Sequence, residues 1–304
     1  MHLRHLHVLA AIAFLFTSPA WAATDADNIA CAKAISQGDT DSAVALSDKL
    51  LKQNKSDRDA LICKGRALNA ADKSLIAIPV FQQAERTSKS PVERIVALDF
   101  LGNAYRGTNQ YVEAIASYEK SLALSRAEKD TYFERINLNL IGDAMVDSGQ
   151  IERGLENYMA GSKLAANDNE RADGFSRIAA ASSQLGLHDQ AIEYQIKTMM
   201  MQERGGDLDD YANATLELAR IYTVAKDFVN AERYINKVIK LSKDNGGPYW
   251  EAKSYYYLAS AKLASGKHEE VQTLLADAQQ ICVRIGAKAL NDQVSKMIDT
   301  LATE

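Results

Sequence analysis

The chain has 304 residues, enough for two ordinary domains or one elongated repeat array. Four prolines and 7% aromatics, beside abundant Ala, Leu, Lys and Glu, favour helices over a sandwich or barrel. A net charge of −5 with both signs interspersed leaves no basic stripe for nucleic acid and no acidic tail.

The first segment reads as a targeting signal. "MHLRHLH" carries Arg4 and three histidines, "VLAAIAFLF" runs apolar from Val8 to Phe16, and "TSPAWA" sets Ala20 and Ala22 around Trp21. A charged start, a short apolar core and an A-x-A site predict a secretory signal over residues 1–22, with the mature chain starting near Ala23. The nine apolar residues fall short of the roughly 20 a membrane span needs. No later segment is apolar enough to cross, so the mature protein is expected in solution, in a bacterial periplasm or secreted. Cys31, in "DNIAC", lacks the preceding Leu of a lipoprotein site and lies too far from the apolar run.

A comb of small residues then occupies the chain. Cys31, Gly65, Gly102, Gly142, Ala179, Ala219 and Ala259 follow one another at steps of 34, 37, 40, 37, 40 and 40 residues. Twelve residues after each stand Ala43, Ala77, Ala114, Gly154, Ala191, Ala231 and Val271. Two helices approach closely where both present small side chains, so this spacing predicts paired helices. Four positions further come Phe81, Tyr118, Tyr158, Ile235 and Leu275, with Ser47 and Gln195 as exceptions; the large residues are expected to fill the space beside each crossing. Seven residues after each anchor stand Gly38, Asp72, Asn109, Gly149, Gly186, Lys226 and Gly266. Gly, Asn and Asp tolerate the left-handed conformation that ends helices, and Lys226 alone departs from that set.

Leu98, Leu101, Gly102, Tyr105, Ala114 and Tyr118 follow the pattern W-x2-L-G-x2-Y then A-x3-F. Leu138, Ile141, Gly142, Gly154 and Tyr158 repeat it, as do Leu218, Ala219, Tyr222 and Ala231. The pattern resembles the tetratricopeptide repeat (TPR), although the family's closing proline is missing from nearly every unit and five of the six steps exceed 34 by three or more. The resemblance covers nearly the whole mature chain and implies an all-α, right-handed solenoid of about seven helix-turn-helix units over residues 23–286. "LNDQVSKMIDTL" sets Leu290, Val294, Met297, Ile298 and Leu301 on one face, which predicts a C-terminal capping helix over 287–304 and a complete array.

Residues suited to chemistry are sparse. His188 and His268 follow turn glycines in units two steps apart and are expected to be exposed, not a metal pair. No Ser/His/Asp set and no phosphate loop can be assembled; "RGGD" and "NGGP" read as linkers. Asp143 and Asp147 lie one helical turn apart, as on any solvated face. Met199 to Met201 point in different directions and read as core filling. Of Tyr255 to Tyr257, only Tyr256 is expected to face a groove. No catalytic residue, metal or cofactor is assigned. Cys31 and Cys63 lie on the first helices of adjacent units, either bridged in an oxidising compartment or buried as small hydrophobes, with Cys282 unpaired.

In the family, first helices line a concave face that takes an extended peptide or a partner helix. The matching positions here are Arg66, Asn69, Asp99, Asn103, Arg106, Asn139, Asp143, Asp147, Ser176, Arg220, Thr223 and Tyr256. Asn103 matches the asparagine that holds a peptide backbone, since an amide donates and accepts at once. Asp99 and Asp143, beside Asn139, stand where lysines would clamp a terminal carboxylate, which disfavours that ligand. Mixed charge along the face suits a partner that is itself mixed. The expected function is an exported protein-interaction adaptor binding a protein or peptide mainly through its second to fourth units, without a cofactor or nucleic acid. The rivals are a self-associating component of an envelope or secretion assembly, and a ligand-sensing module for a membrane partner.

Overall fold

A computed structural model describes residues 20–302, with side chains from residue 28 onward. Residues 1–19, most of the expected signal, lie outside the described residues. Fifteen α-helices and no strand occur among the described residues. They form two compact units, one ending at Thr108 and one beginning at Asn109.

The first unit holds α1 (Ala20–Ser36), α2 (Thr40–Gln53), α3 (Arg58–Ala70), α4 (Ser74–Thr87) and α5 (Pro91–Gly107). The second holds α6 (Tyr111–Ala127), α7 (Thr131–Asp147), α8 (Ile151–Ser162), α9 (Asp168–Gln184), α10 (His188–Gly205), α11 (Leu208–Val224), α12 (Phe228–Asn245), α13 (Pro248–Ala264), α14 (Val271–Ile285) and α15 (Lys288–Ala302). Consecutive helices pack against each other within each unit, so both are helical-repeat stacks.

Asp, Asn and Ser side chains start the first helices α3, α5, α7, α9 and α11. Asp57, Asp130, Asn167 and Asp207 each accept from an N–H of the first turn. At α5, Ser90 and Glu93 form a reciprocal capping box, followed by Pro91 at the first helical position.

The pair-closing turns share one geometry. All seven expected turn residues have positive φ: Gly38, Asp72, Asn109, Gly149, Gly186, Lys226 and Gly266 lie between 58° and 83°. Lys226, outside the Gly, Asn and Asp set, sits at 61° like the rest. In six of these turns the following residue donates to the carbonyl five positions back. Lys73 donates to Leu68 at 2.8 Å, Gln150 to Met145 at 2.8 Å and Asp227 to Tyr222 at 2.9 Å. That bond satisfies a carbonyl the helix end leaves open.

Burial follows the comb. The anchors and their partners twelve residues on are all buried, and so are the seven positions four further. At two anchors the reason for glycine is direct. A Cβ on Gly142 would lie 2.5 Å from the Tyr158 ring, and one on Gly65 would strike the Phe81 ring. The large residue therefore sits over the glycine itself instead of beside the crossing. Leu290 and Val294 of α15 are buried against α13 and α14, with Met297, Ile298 and Leu301 packed around them.

Candidate partner-binding face

In the second unit the first helices α7, α9, α11 and α13 carry a polar network. Asp143 on α7 accepts from the Tyr158 hydroxyl at 2.7 Å and pairs with Arg177 on α9. Arg177 also donates to Asp173 at 3.1 Å, and Asp173 accepts from the Asn139 amide at 3.1 Å. Arg135, 7% exposed, adds an ion pair with Glu170 at 3.2 Å. Burial works against the Arg177 charge, but Asp143 and Asp173 more than offset it and leave its pKa raised. Tyr158 is pushed up by burial first and by Asp143 second, so its phenol stays a donor.

A second set of links joins α11 to α13. The Tyr257 hydroxyl donates to Glu217 at 2.7 Å, and Lys253 donates to Asn213 at 3.0 Å. Trp250 donates its ring N–H to Asp209. Burial lowers the Lys253 pKa against the pull of Glu217, and its ammonium lies 4.9 Å from the centre of the Trp250 ring.

Between α9 and α11 no hydrogen bond or ion pair is made among the described residues. A cavity of about 460 Å³ opens there instead, walled by these two helices and floored by Gln195, Thr198 and Gln202 of α10. Gln195 is buried and donates to the Ala214 carbonyl at 2.9 Å.

The expected face residues divide by environment. Arg220 and Ser176 line the cavity, Arg220 held by Glu217 at 2.7 Å. Tyr256 stacks edge-on against Tyr257 and lines a separate cavity beside α15. Thr223 turns back to the Ala219 carbonyl. Asp99 and Asn139 are buried, and Asp143 is held by Tyr158 and Arg177, which leaves these three less open than the other expected face residues. Asp147 is exposed, and Asn103 and Arg106 are half-buried. In the first unit Arg66 lies over the Phe100 ring at 5.5 Å, and Asn69 is half-buried.

Other expectations shift as well. Tyr257, and not Tyr256, faces α11, through its bond to Glu217. His188 begins α10 half-buried instead of exposed, whereas His268 is exposed. Of the three methionines expected to fill core, Met199 is buried and Met201 half-buried, whereas Met200 is exposed. The charged and amide cavity residues missing from the expected set include Asp173, Arg177, Asn213 and Glu217. For these four the signal was available: Asp173/Arg177, Asn213/Glu217 and Lys253/Tyr257 recur six and two residues before Ala179, Ala219 and Ala259.

Cys31 and Cys63 bring their sulfurs together, with Cα atoms 6.3 Å apart, within the span of a disulfide. Cys282 is free and buried. Among the described residues no helix is long and apolar enough to cross a membrane, and no group of three or more His, Cys, Asp or Glu could hold a metal ion.

Comparison with known proteins agrees with this architecture. Residues 97–132 match the tetratricopeptide repeat family model. The chain is 25% identical over 190 residues to an outer dynein arm-docking complex subunit 4 from Mus musculus, covering 62% of this chain and 30% of that protein. It is 25% identical over 227 residues to a kinesin light chain-related protein 2 from Arabidopsis thaliana, covering 73% of this chain and 32% of that one. It thus spans about a third of the length of these curated relatives. Among solved structures, a signal transduction ATPase with a tetratricopeptide repeat sensor from Pyrococcus horikoshii superposes with a TM-score of 0.70. The match has 17% identity and covers 90% of this chain and 44% of that one. The protein is an all-α helical-repeat protein, and its residues 97–132 match a tetratricopeptide repeat.

Proposed function

We propose that the protein is an exported adaptor that binds a peptide or partner protein through the face formed by its first helices. The observation that carries this reading is the polar cavity between α9 and α11, where the links that close α7 to α9 and α11 to α13 are missing. Polar walls with amides on both sides suit a ligand that brings its own backbone donors and acceptors. Asp147, Arg220 and Tyr256 extend the proposed contacts along the first helices of the second unit, and Arg66, Asn69, Asn103 and Arg106 are the proposed contacts of the first unit taken by itself. Export to the periplasm or beyond is supported by the charged, apolar and small-residue order of the first 22 residues. The closeness of Cys31 and Cys63 supports it further, since thiols so placed join in an oxidising compartment. A membrane-associated partner is compatible with that location.

A photo-crosslinking residue placed at Ser176 in the cavity wall, and separately at Val229, 81% exposed on α12, tests the reading in intact cells. A discrete adduct from Ser176 and none from Val229 is expected. Equal adducts from both, or adducts from Val229 alone, overturn the face assignment. Recovery of the full-length, unprocessed chain in the cytoplasmic fraction overturns export.

A second reading, a small-ligand sensor, is favoured by the cavity volume, which falls in the range of small-molecule sites. Adducts at Ser176 that vanish without any protein partner, together with a thermal shift by low-mass cell extract, would select it.

A further inference from the structure

We propose that α9 and α11 close onto each other through two side-chain bonds, Arg177 to Glu217 and Asn213 to Asp173, and that this latch regulates entry to the cavity between them. The regulation rests on the peptide-binding reading above; the latch itself does not.

The next pair of first helices supplies the template. Lys253 donates to Asn213 at 3.0 Å and the Tyr257 hydroxyl to Glu217 at 2.7 Å, each bond joining residues forty apart. Forty is also the step from Ala219 to Ala259, so both bonds link equivalent positions of successive repeats. The step from Ala179 to Ala219 is the same, and it sets Asp173 opposite Asn213 and Arg177 opposite Glu217. All four line the cavity, and neither of these two bonds is made.

Each wall holds what the other lacks. Arg177 uses Nε for Asp173 and Nη1 for Asp143, and a guanidinium carries five N–H groups, so donors remain. Glu217 takes Tyr257 on one oxygen and Arg220 on the other, while a carboxylate accepts about four bonds. Asn213 is engaged with Lys253 through its oxygen, and its own N–H groups bond to no described residue. Asp173 accepts one hydrogen bond on each oxygen, from Arg177 and from Asn139. Closing can therefore add two charge-assisted bonds without releasing a present partner.

Between these positions the walls are small: Ala172, Ser176 and Ala180 on α9, Ala214 on α11. Ala179, Ala191 and Ile221 form one apolar cluster that joins α9, α10 and α11 and gives the movement a pivot. One repulsion opposes it. Glu170 and Asp210 also stand forty residues apart, so closing brings two carboxylates together, the first of them shared with Arg135 at 3.2 Å. Two attractions against one repulsion keep both arrangements accessible. A peptide in the cavity holds the walls apart, and the closed fraction weakens its apparent affinity.

Spin labels on noncanonical residues at Asn169 and Leu208, both exposed near the starts of α9 and α11, report the gap in the full mature chain without using its cysteines. Two distances are expected. Asn213→Asp keeps the Lys253 acceptor and sets a second carboxylate against Asp173. The shorter population then falls about threefold or more while the melting temperature holds. Asp210→Asn, which removes the repulsion, raises that population. Labels at Leu208 and Tyr249, across the bonded α11–α13 pair, give one distance. A single distance between Asn169 and Leu208 in all three chains, or a shorter population indifferent to Asn213→Asp, overturns the latch. The Ser176 crosslink then tests regulation, its adduct yield rising in Asn213→Asp in step with the open fraction. An unchanged yield overturns the regulation. No adduct from either chain overturns the groove reading, and the distances still decide the latch.

Discussion

The Tyr257 hydroxyl and Glu217 Oε1 meet at 2.7 Å across forty residues of sequence, tying α13 to α11 at equivalent positions of successive repeats. Glu217 holds Arg220 with its second oxygen, so one carboxylate joins a link between helices to a link within its own helix. Burial and the charge of Glu217 both raise the Tyr257 pKa, which keeps the donor in place.

Tyr257→Phe keeps the ring and removes the donor. The loss is expected at about 1 kcal/mol, since Glu217 retains Arg220 and regains some water. Urea denaturation measures it, and an unchanged midpoint would show that the bond adds nothing beyond solvation.

Lys226 holds φ at 61°, in the left-handed region that costs a side-chain-bearing residue about 1–2 kcal/mol relative to a relaxed conformation. Lys226→Gly removes that cost while adding freedom to the unfolded chain. A net gain of about 0.5–1 kcal/mol is expected, read as a higher urea midpoint at constant slope. A lower midpoint would mean that the Lys226 side chain contributes more than its backbone loses.

The oxidised protein, unfolded and titrated for thiols without reductant, should show one free thiol of the three cysteines, that of Cys282. Joining Cys31 to Cys63 closes a loop spanning 32 residues, for which the chain-entropy model gives about 3–4 kcal/mol. Reductant should lower the denaturation midpoint accordingly. Three free thiols would show the pair to be two buried hydrophobes.

Glu93 closes the α5 capping box, and the Lys89 backbone N–H, followed by that of Ser90, holds its carboxyl below the ordinary value of 4.5. A carboxylate with a lowered folded pKa adds stability that is complete above the unfolded value and is lost as pH falls through the folded one. Glu93→Gln should therefore be less stable than wild type at pH 6 and approach it as pH falls below about 4. A gap constant with pH would assign the effect to packing.

The helix pairs and their turns were legible because each requirement acts on one residue at a fixed distance from the last. A left-handed turn needs a tolerant backbone, and a ring over Gly142 needs an absent side chain. The Asp143–Arg177 pair was not legible in the same way. The anchors on these helices, Gly142 and Ala179, are 37 residues apart, yet the paired residues are 34 apart. Counting equivalent positions misses a partner displaced by nearly one helical turn, which a long guanidine side chain spans. Asn213–Lys253 and Glu217–Tyr257 do fall on the 40-residue step between Ala219 and Ala259, so a search for recurring polar positions could have found them. Burial of Asp99 and Asn139 was hidden because their residue types normally mark surface.

The uneven stitching of the first helices gives the second unit one soft seam. Along α7 to α9 and α11 to α13, sliding one helix past the next must break bonds to charged groups. Along α9 to α11 it disturbs only apolar packing, such as the cluster of Ala179 and Ile221, and what α10 transmits from behind. Small displacements are therefore least opposed at that seam, and a molecule wedged into it acts on the joint with the lowest resistance. Filling the cavity stiffens the stack at its weakest point, so occupancy would register as slower amide exchange in α9 and α11 even if no helix changed its place.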